Sequence, residues 1–183
     1  KLSVTQSEEY SINVVDNGDG TLTVTVPGNA TGNITVNING TNYSANVTNG
    51  KAVVDISNAT PGSYNATVDY SGDNDHTAKS TTVPITVPKY STEMTIEVDN
   101  YKVGETVKVT VTVPKGIEGE VTIEIDGLTY SKAPENGKAV FEITDTLLAG
   151  DKTVTATYAG DEKYLHNATT KDFTVSKNNA PFT

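Results

Sequence analysis

Cysteine, tryptophan and arginine are all absent from this chain. Without cysteine there is no disulfide framework, no thiolate nucleophile and no Cys-based metal site. Without arginine, and with a net charge of −10, there is no basic patch of the kind that neutralises phosphates, which excludes a nucleic-acid partner. Attraction to an anionic membrane surface is disfavoured on the same ground. No apolar run approaches the roughly 20 residues that a helix needs to cross a bilayer, so no membrane contact is expected within this segment. Phe occurs three times and Met once, so a core has to be assembled from Val, Ile, Ala and Tyr. No leader-like stretch stands at the start, and the chain reads as a segment of something longer.

What is present is repeated. Val26-Pro27 recurs as Val113-Pro114, Asn39-Gly40 as Asp126-Gly127, and Tyr43 as Tyr130, all at an offset of 87. The run Asn49-Gly50-Lys51-Ala52-Val53 returns unchanged as Asn136-Gly137-Lys138-Ala139-Val140. The offset then becomes 88: Tyr70-Ser71-Gly72-Asp73 matches Tyr158-Ala159-Gly160-Asp161, and Thr86-Val87 matches Thr174-Val175. The added residue lies in 144–149 of the second unit, which stands against 57–61 of the first, so a loop is expected there. A register kept over so many matches marks a tandem array, with units expected over 1–88 and 89–183 and the last residues leading towards a further repeat.

Within each unit the apolar residues alternate with polar ones. Leu22, Val24 and Val26 correspond to Val109, Val111 and Val113; Ile34, Val36 and Ile38 to Val121, Ile123 and Ile125. Ala66, Val68 and Tyr70 correspond to Val154, Ala156 and Tyr158. Period two with β-branched residues predicts strands that bury one face and leave the other in water. Asn-Gly and Asp-Gly pairs between such runs predict type I′ turns. About seven short strands per unit, with no helix-length amphipathic stretch, predict an all-β protein of two tandem seven-stranded Greek-key β-sandwiches.

At these residues, Asn-Gly-Lys-Ala-Val followed by Tyr-Ser/Ala-Gly-Asp, a polar stretch and Thr-Val, the chain resembles the prokaryotic Ig-like repeats of large surface proteins. It is most similar to the bacterial Ig-like group-3 type, as found in adhesin-like proteins of methanogenic archaea. The resemblance implies Ig-like sandwiches in an extracellular, cell-surface stalk. It brings no catalytic residue, cofactor or metal ligand with it. The partners it implies are neighbouring repeats of the same chain and a surface glycan or protein of a host or partner cell. At His76 the chain departs from the pattern, in which an aromatic such as Tyr164 is more usual.

Four sets of side chains are candidates for chemistry. The two histidines, His76 and His166, are not equivalent under the repeat and are expected as exposed loop residues, with no triad partner. Asp73 with Asp75, Asp161 with Glu162, and the run Asp16-Asn17-Gly18-Asp19-Gly20 are rich in oxygen but lack the spacing of a Ca²⁺ loop, so turn roles are expected. Tyr70 and Tyr158 are expected inside, each hydroxyl bonded to nearby backbone. The Asn-x-Ser/Thr sequon occurs at Asn29, Asn33, Asn42, Asn46, Asn58, Asn65 and Asn167, which are glycosylation candidates, and at Asn39, where a tight turn makes a glycan awkward. The expected role is a non-enzymatic spacer in a surface stalk. The alternatives are a glycan- or protein-binding adhesive module and an accessory domain of a surface enzyme.

Overall fold

A computed structural model describes residue 5 and residues 9–179, and among them there are strands, turns and loops but no helix. The chain divides into two compact units, Lys1–Lys89 and Tyr90–Thr183. The first holds β1 (Asn13–Asp16), β2 (Thr21–Thr25), β3 (Asn33–Ile38), β4 (Thr41–Asn46), β5 (Lys51–Asp55), β6 (Gly62–Tyr70) and β7 (Lys79–Val87). These form a three-stranded sheet in the order β1-β2-β5 and a four-stranded sheet in the order β4-β3-β6-β7. The chain crosses between sheets after β2, β4 and β5, which is Greek-key connectivity. Among the described residues, all strand pairings in this unit are antiparallel.

The second unit repeats the plan with β8 (Thr95–Val98), β9 (Tyr101–Lys102), β10 (Val107–Thr112), β11 (Val121–Ile125), β12 (Leu128–Lys132), β13 (Lys138–Ile143), β14 (Gly150–Tyr158) and β15 (Asn167–Ser176). Its sheets run β13-β10-β8 and β12-β11-β14-β15-β9. This unit therefore has eight strands rather than seven. The extra one, β9, pairs in parallel with β15 through Val175↔Tyr101 and Ser176↔Lys102. It exists because the connection 99–106 replaces the shorter 17–20 of the first unit and is long enough to reach the opposite sheet.

Alternation places each core as the sequence requires. Leu22, Val24, Ile34, Val36, Val54, Ala66 and Val68 are wholly buried in the first unit, as are Val109, Val111, Val121, Ile123, Val154 and Ala156 in the second. Burying each such Val, Ile or Leu contributes roughly 1.5–3 kcal/mol, so these short aliphatic side chains do the work that large aromatics do elsewhere.

The turns have the backbone that their residues suggest. Asn39, Asn49, Asp126 and Asn136 lie at φ of 50–52°, each followed by a glycine that is also at positive φ. Thr48 and Lys51 exchange backbone hydrogen bonds across Asn49-Gly50, and Glu135 and Lys138 do so across Asn136-Gly137. Gly50 also lies against the turn after β2: a Cβ there would meet the Pro27 carbonyl oxygen at 2.6 Å, and one on Gly137 would meet that of Val113 at 2.7 Å. Positive φ, close approach and a buried alanine two residues on explain why Asn-Gly-Lys-Ala-Val stands unchanged in both units.

Candidate functional site

The repeated Tyr-x-Gly-Asp element ends β6 and β14 and opens the loops 71–78 and 159–166. The Asp73 carboxylate accepts the backbone N–H groups of Asp75 and His76, each at 2.8 Å. Asp161 does the same for Lys163 and Tyr164, at 2.7 and 2.6 Å. Both loops are thus closed by an Asx-type turn. The glycine is needed as well: a Cβ on Gly72 would meet the Ala78 nitrogen at 2.7 Å, and one on Gly160 that of His166 at 2.8 Å.

Tyr70 and Tyr158 are buried as expected. The Tyr70 hydroxyl donates to the Thr31 carbonyl at 2.7 Å. The Tyr158 hydroxyl donates to the Asp161 carboxylate at 2.6 Å. Burial, and then the adjacent carboxylate, push Tyr158 up to about 12. The same causes raise Tyr70. Asp73 lies well below the ordinary carboxylate range, mainly because it accepts the Thr31 N–H, helped by the Asp75 N–H and by His76 and Tyr70.

His76 corrects an expectation. It is only 6% exposed, with Nδ1 2.9 Å from Asp73 Oδ1. Its ring meets that of Tyr10 edge-on at 5.8 Å, and Tyr10 in turn meets Tyr70 edge-on at 6.1 Å. The loop folds over this aromatic group, and His76 fills the position that Tyr164 fills in the second unit, where Tyr164 packs on Tyr90. The repeat alignment pairs His76 with Tyr164, and this pairing is the sequence signal for burial, although histidine as a residue type points to a surface. His166 is exposed.

A further equivalence was not legible from the sequence. The Tyr10 hydroxyl donates to the Thr77 carbonyl, and Thr92 Oγ1 donates to the Leu165 carbonyl at 2.5 Å. Thr77 and Leu165 are repeat mates, so one bond is made by two chemically different residues. The Tyr10 ring stands nearly perpendicular to those of Tyr70 and His76, so the three do not form a flat stacking platform.

The oxygen-rich run at 16–20 is a turn whose carboxylates face donors. Asp16 accepts the N–H of Gly18 and, across the unit, that of Thr86; Asp19 accepts the N–H and hydroxyl of Thr21. Among the described residues no three His, Cys, Asp or Glu side chains are grouped as metal ligands.

The sequon asparagines divide by environment. Asn29 and Asn58 are exposed in loops, and Asn39 is exposed at its turn. Asn33, Asn42, Asn46 and Asn65 are exposed on the outer face of the β4-β3-β6-β7 sheet. Asn167 is half-buried, and its Nδ2 donates to the Thr92 carbonyl at 2.6 Å.

Residues 5–88 and 94–176 each match the family described as bacterial Ig-like domain (group 3). No curated protein matches. Among solved structures, the chain is similar to the fibronectin(III)-like modules of Clostridium thermocellum CbhA, with 14% identity, 91% of this chain and 95% of that one covered, and a TM-score of 0.35. It is also similar to the BSP domain of a biofilm-associated protein, at 22% identity over 93% of this chain and 30% of that one, with a TM-score of 0.33. A third is Bacteroides ovatus SGBP-B, solved with a mixed-linkage heptasaccharide, at 17% identity over 87% and 42% and a TM-score of 0.31. The two matches together span nearly the whole chain, and the protein belongs to the bacterial Ig-like domain (group 3) family, as two tandem copies.

Proposed function

We propose that this segment is a non-catalytic, extracellular spacer, two links of a cell-surface stalk that holds an attachment function away from the cell. One observation carries this reading. The side chains that repeat between the units, Tyr70 and Tyr158, Asp73 and Asp161, and the two Asn-Gly-Lys-Ala-Val runs, are all engaged in holding their own unit together. What the repeat preserves is therefore the fold itself, which is what a spacer needs. Neighbouring repeats of the same chain are its natural partners.

A second reading, a binding module, is favoured by an open groove of about 470 Å³ in the second unit. It is lined by Tyr101, Lys108 and Lys171 with Glu97 and Asp99, a polar set able to hydrogen-bond a surface glycan or an extended peptide.

The test is exchange. In the full surface protein, residues 1–183 are replaced by two unrelated Ig-like domains of similar length. A spacer predicts that cells still attach; loss of attachment in a protein that is still displayed contradicts it and favours the groove.

A further inference from the structure

The first unit carries seven of the eight sequons, on twelve asparagines. About a quarter of its residues are Ser or Thr, so composition alone gives about three sequons. Their placement is more informative than their number. Asn33, Asn42, Asn46 and Asn65 lie on three adjacent strands, β3, β4 and β6, and all are exposed on the side away from the core. Asn42 is exposed and is held by its oxygen: Asn37 Nδ2 donates to Asn42 Oδ1 at 2.7 Å, a bond that does not engage the Asn42 Nδ2. The hydroxyls of two of these sequons, Thr35 and Ser44, lie 3.1 Å apart across β3 and β4.

This face also lacks the protection its counterpart has. Residues 33–46, the β3–β4 hairpin, contain no charged side chain. The matching residues 120–133 of the second unit contain Glu120, Glu124, Asp126 and Lys132. β4 is an edge strand, and an uncharged edge invites pairing with another chain.

We infer that the outer face of the β4-β3-β6-β7 sheet is an N-glycosylated face, taking oligosaccharide from a polyprenyl-phosphate-linked donor. In the transfer, Nδ2 attacks the anomeric carbon and the N–C bond forms. The bond from that carbon to the phosphate oxygen breaks, the lipid phosphate leaves with the electron pair, and one amide proton is lost. No oxidant or reductant is needed. The attached sugars cover the uncharged edge strand and do there what lysine does elsewhere.

Geometry sets the occupancy. Asn33 and Asn46 are direct partners in register, so that pair carries one glycan at most. Asn42 and Asn46 are four residues apart on one strand, about 13 Å, which leaves room for both. Asn167 has its Nδ2 committed to Thr92 and stays bare.

The inference rests on the extracellular placement proposed above, so the experiment reads the two separately. Intact cells that make the protein are treated with protease, and the released peptides are weighed before and after an amidase that removes N-glycans. Glycan mass on Asn42, on Asn65 and on one of Asn33 or Asn46, with Asn167 bare, is the expected result. Released but unmodified peptides overturn the glycosylated face and leave the extracellular reading intact. Glycans only on Asn29, Asn39, Asn58 or Asn167 overturn it equally. If no peptide is released although the cells hold the protein, both readings fall. In the N42Q/N65Q double variant the corresponding mass disappears while the melting temperature of the deglycosylated chain is unchanged, because both side chains are exposed.

Discussion

The Asp73 carboxylate accepts the backbone N–H of Thr31 at 2.8 Å, across 42 residues of sequence, and so ties the β2–β3 connection to the loop after β6. With the two N–H groups it takes from its own loop, this one side chain fixes one end of the first unit. The bonds favour the ionised form, so the folded-state pKa lies below the unfolded one. The stabilisation is therefore present at neutral pH and down to about pH 4, and is lost as pH falls further towards the folded value. D73N is expected to lower the melting temperature at neutral pH, with a deficit that shrinks in strong acid. A deficit independent of pH contradicts the assignment.

The alkaline side has the opposite sign. Tyr130 and Tyr158 are each raised to about 12, first by burial and then by Asp145 and Asp161 respectively. A raised folded pKa means that stability is intact below the unfolded value near 10 and falls as pH rises towards about 12. Absorbance titration is expected to show these tyrosines ionising later than exposed ones, and Y158F is expected to flatten the loss of stability. A single titration near 10 for all nine tyrosines contradicts this.

Two glycines separate backbone strain from steric contact. Gly40 and Gly50 both have positive φ, but a Cβ on Gly40 would meet nothing within 4 Å, while one on Gly50 would strike Pro27 at 2.6 Å. G40A is expected to cost about 1 kcal/mol, the price of φ alone. G50A is expected to cost about 2 kcal/mol or more beyond that, because backbone must move. Equal losses in urea unfolding contradict the close packing of this turn on the β2 connection.

Alternation made the strands, the buried faces and the turns legible, because period two and positive φ are properties of single residues and their immediate neighbours. What stayed hidden depends on contacts far apart in sequence. The strand β9 is only two residues long and is defined by its partner β15, about 75 residues away, so no local pattern announces it. The burial of His76 depends on Tyr10, 66 positions earlier, lying across the loop. H76A is accordingly expected to destabilise the first unit by about 1–3 kcal/mol, whereas H166A, at an exposed position, is expected to be nearly neutral. Equal effects in thermal melting contradict the buried role. The sequons were legible one by one; that four of them share a face came only from the register of β3, β4 and β6.

The parallel pairing of β9 with β15 has a mechanical consequence for a stalk. Once β8 has peeled from β10, tension on the ends of the second unit pulls the start of β9 and the end of β15 in opposite directions along parallel strands. The hydrogen bonds between them, Val103 N–H to Ser176 among these, are then loaded together rather than one after another. Among the described residues the first unit shows no such ladder, and β1 is joined to β7 through the Asp16–Thr86 bond.

Pulling the whole chain by its ends in a single-molecule force experiment tests the central claim most directly. Two independently folded sandwiches predict two separate rupture events, each releasing about 300 Å of chain at roughly 3.3–3.6 Å per residue, with the second unit giving way at the higher force. A single event releasing about twice that length would show one cooperative fold and contradict the account.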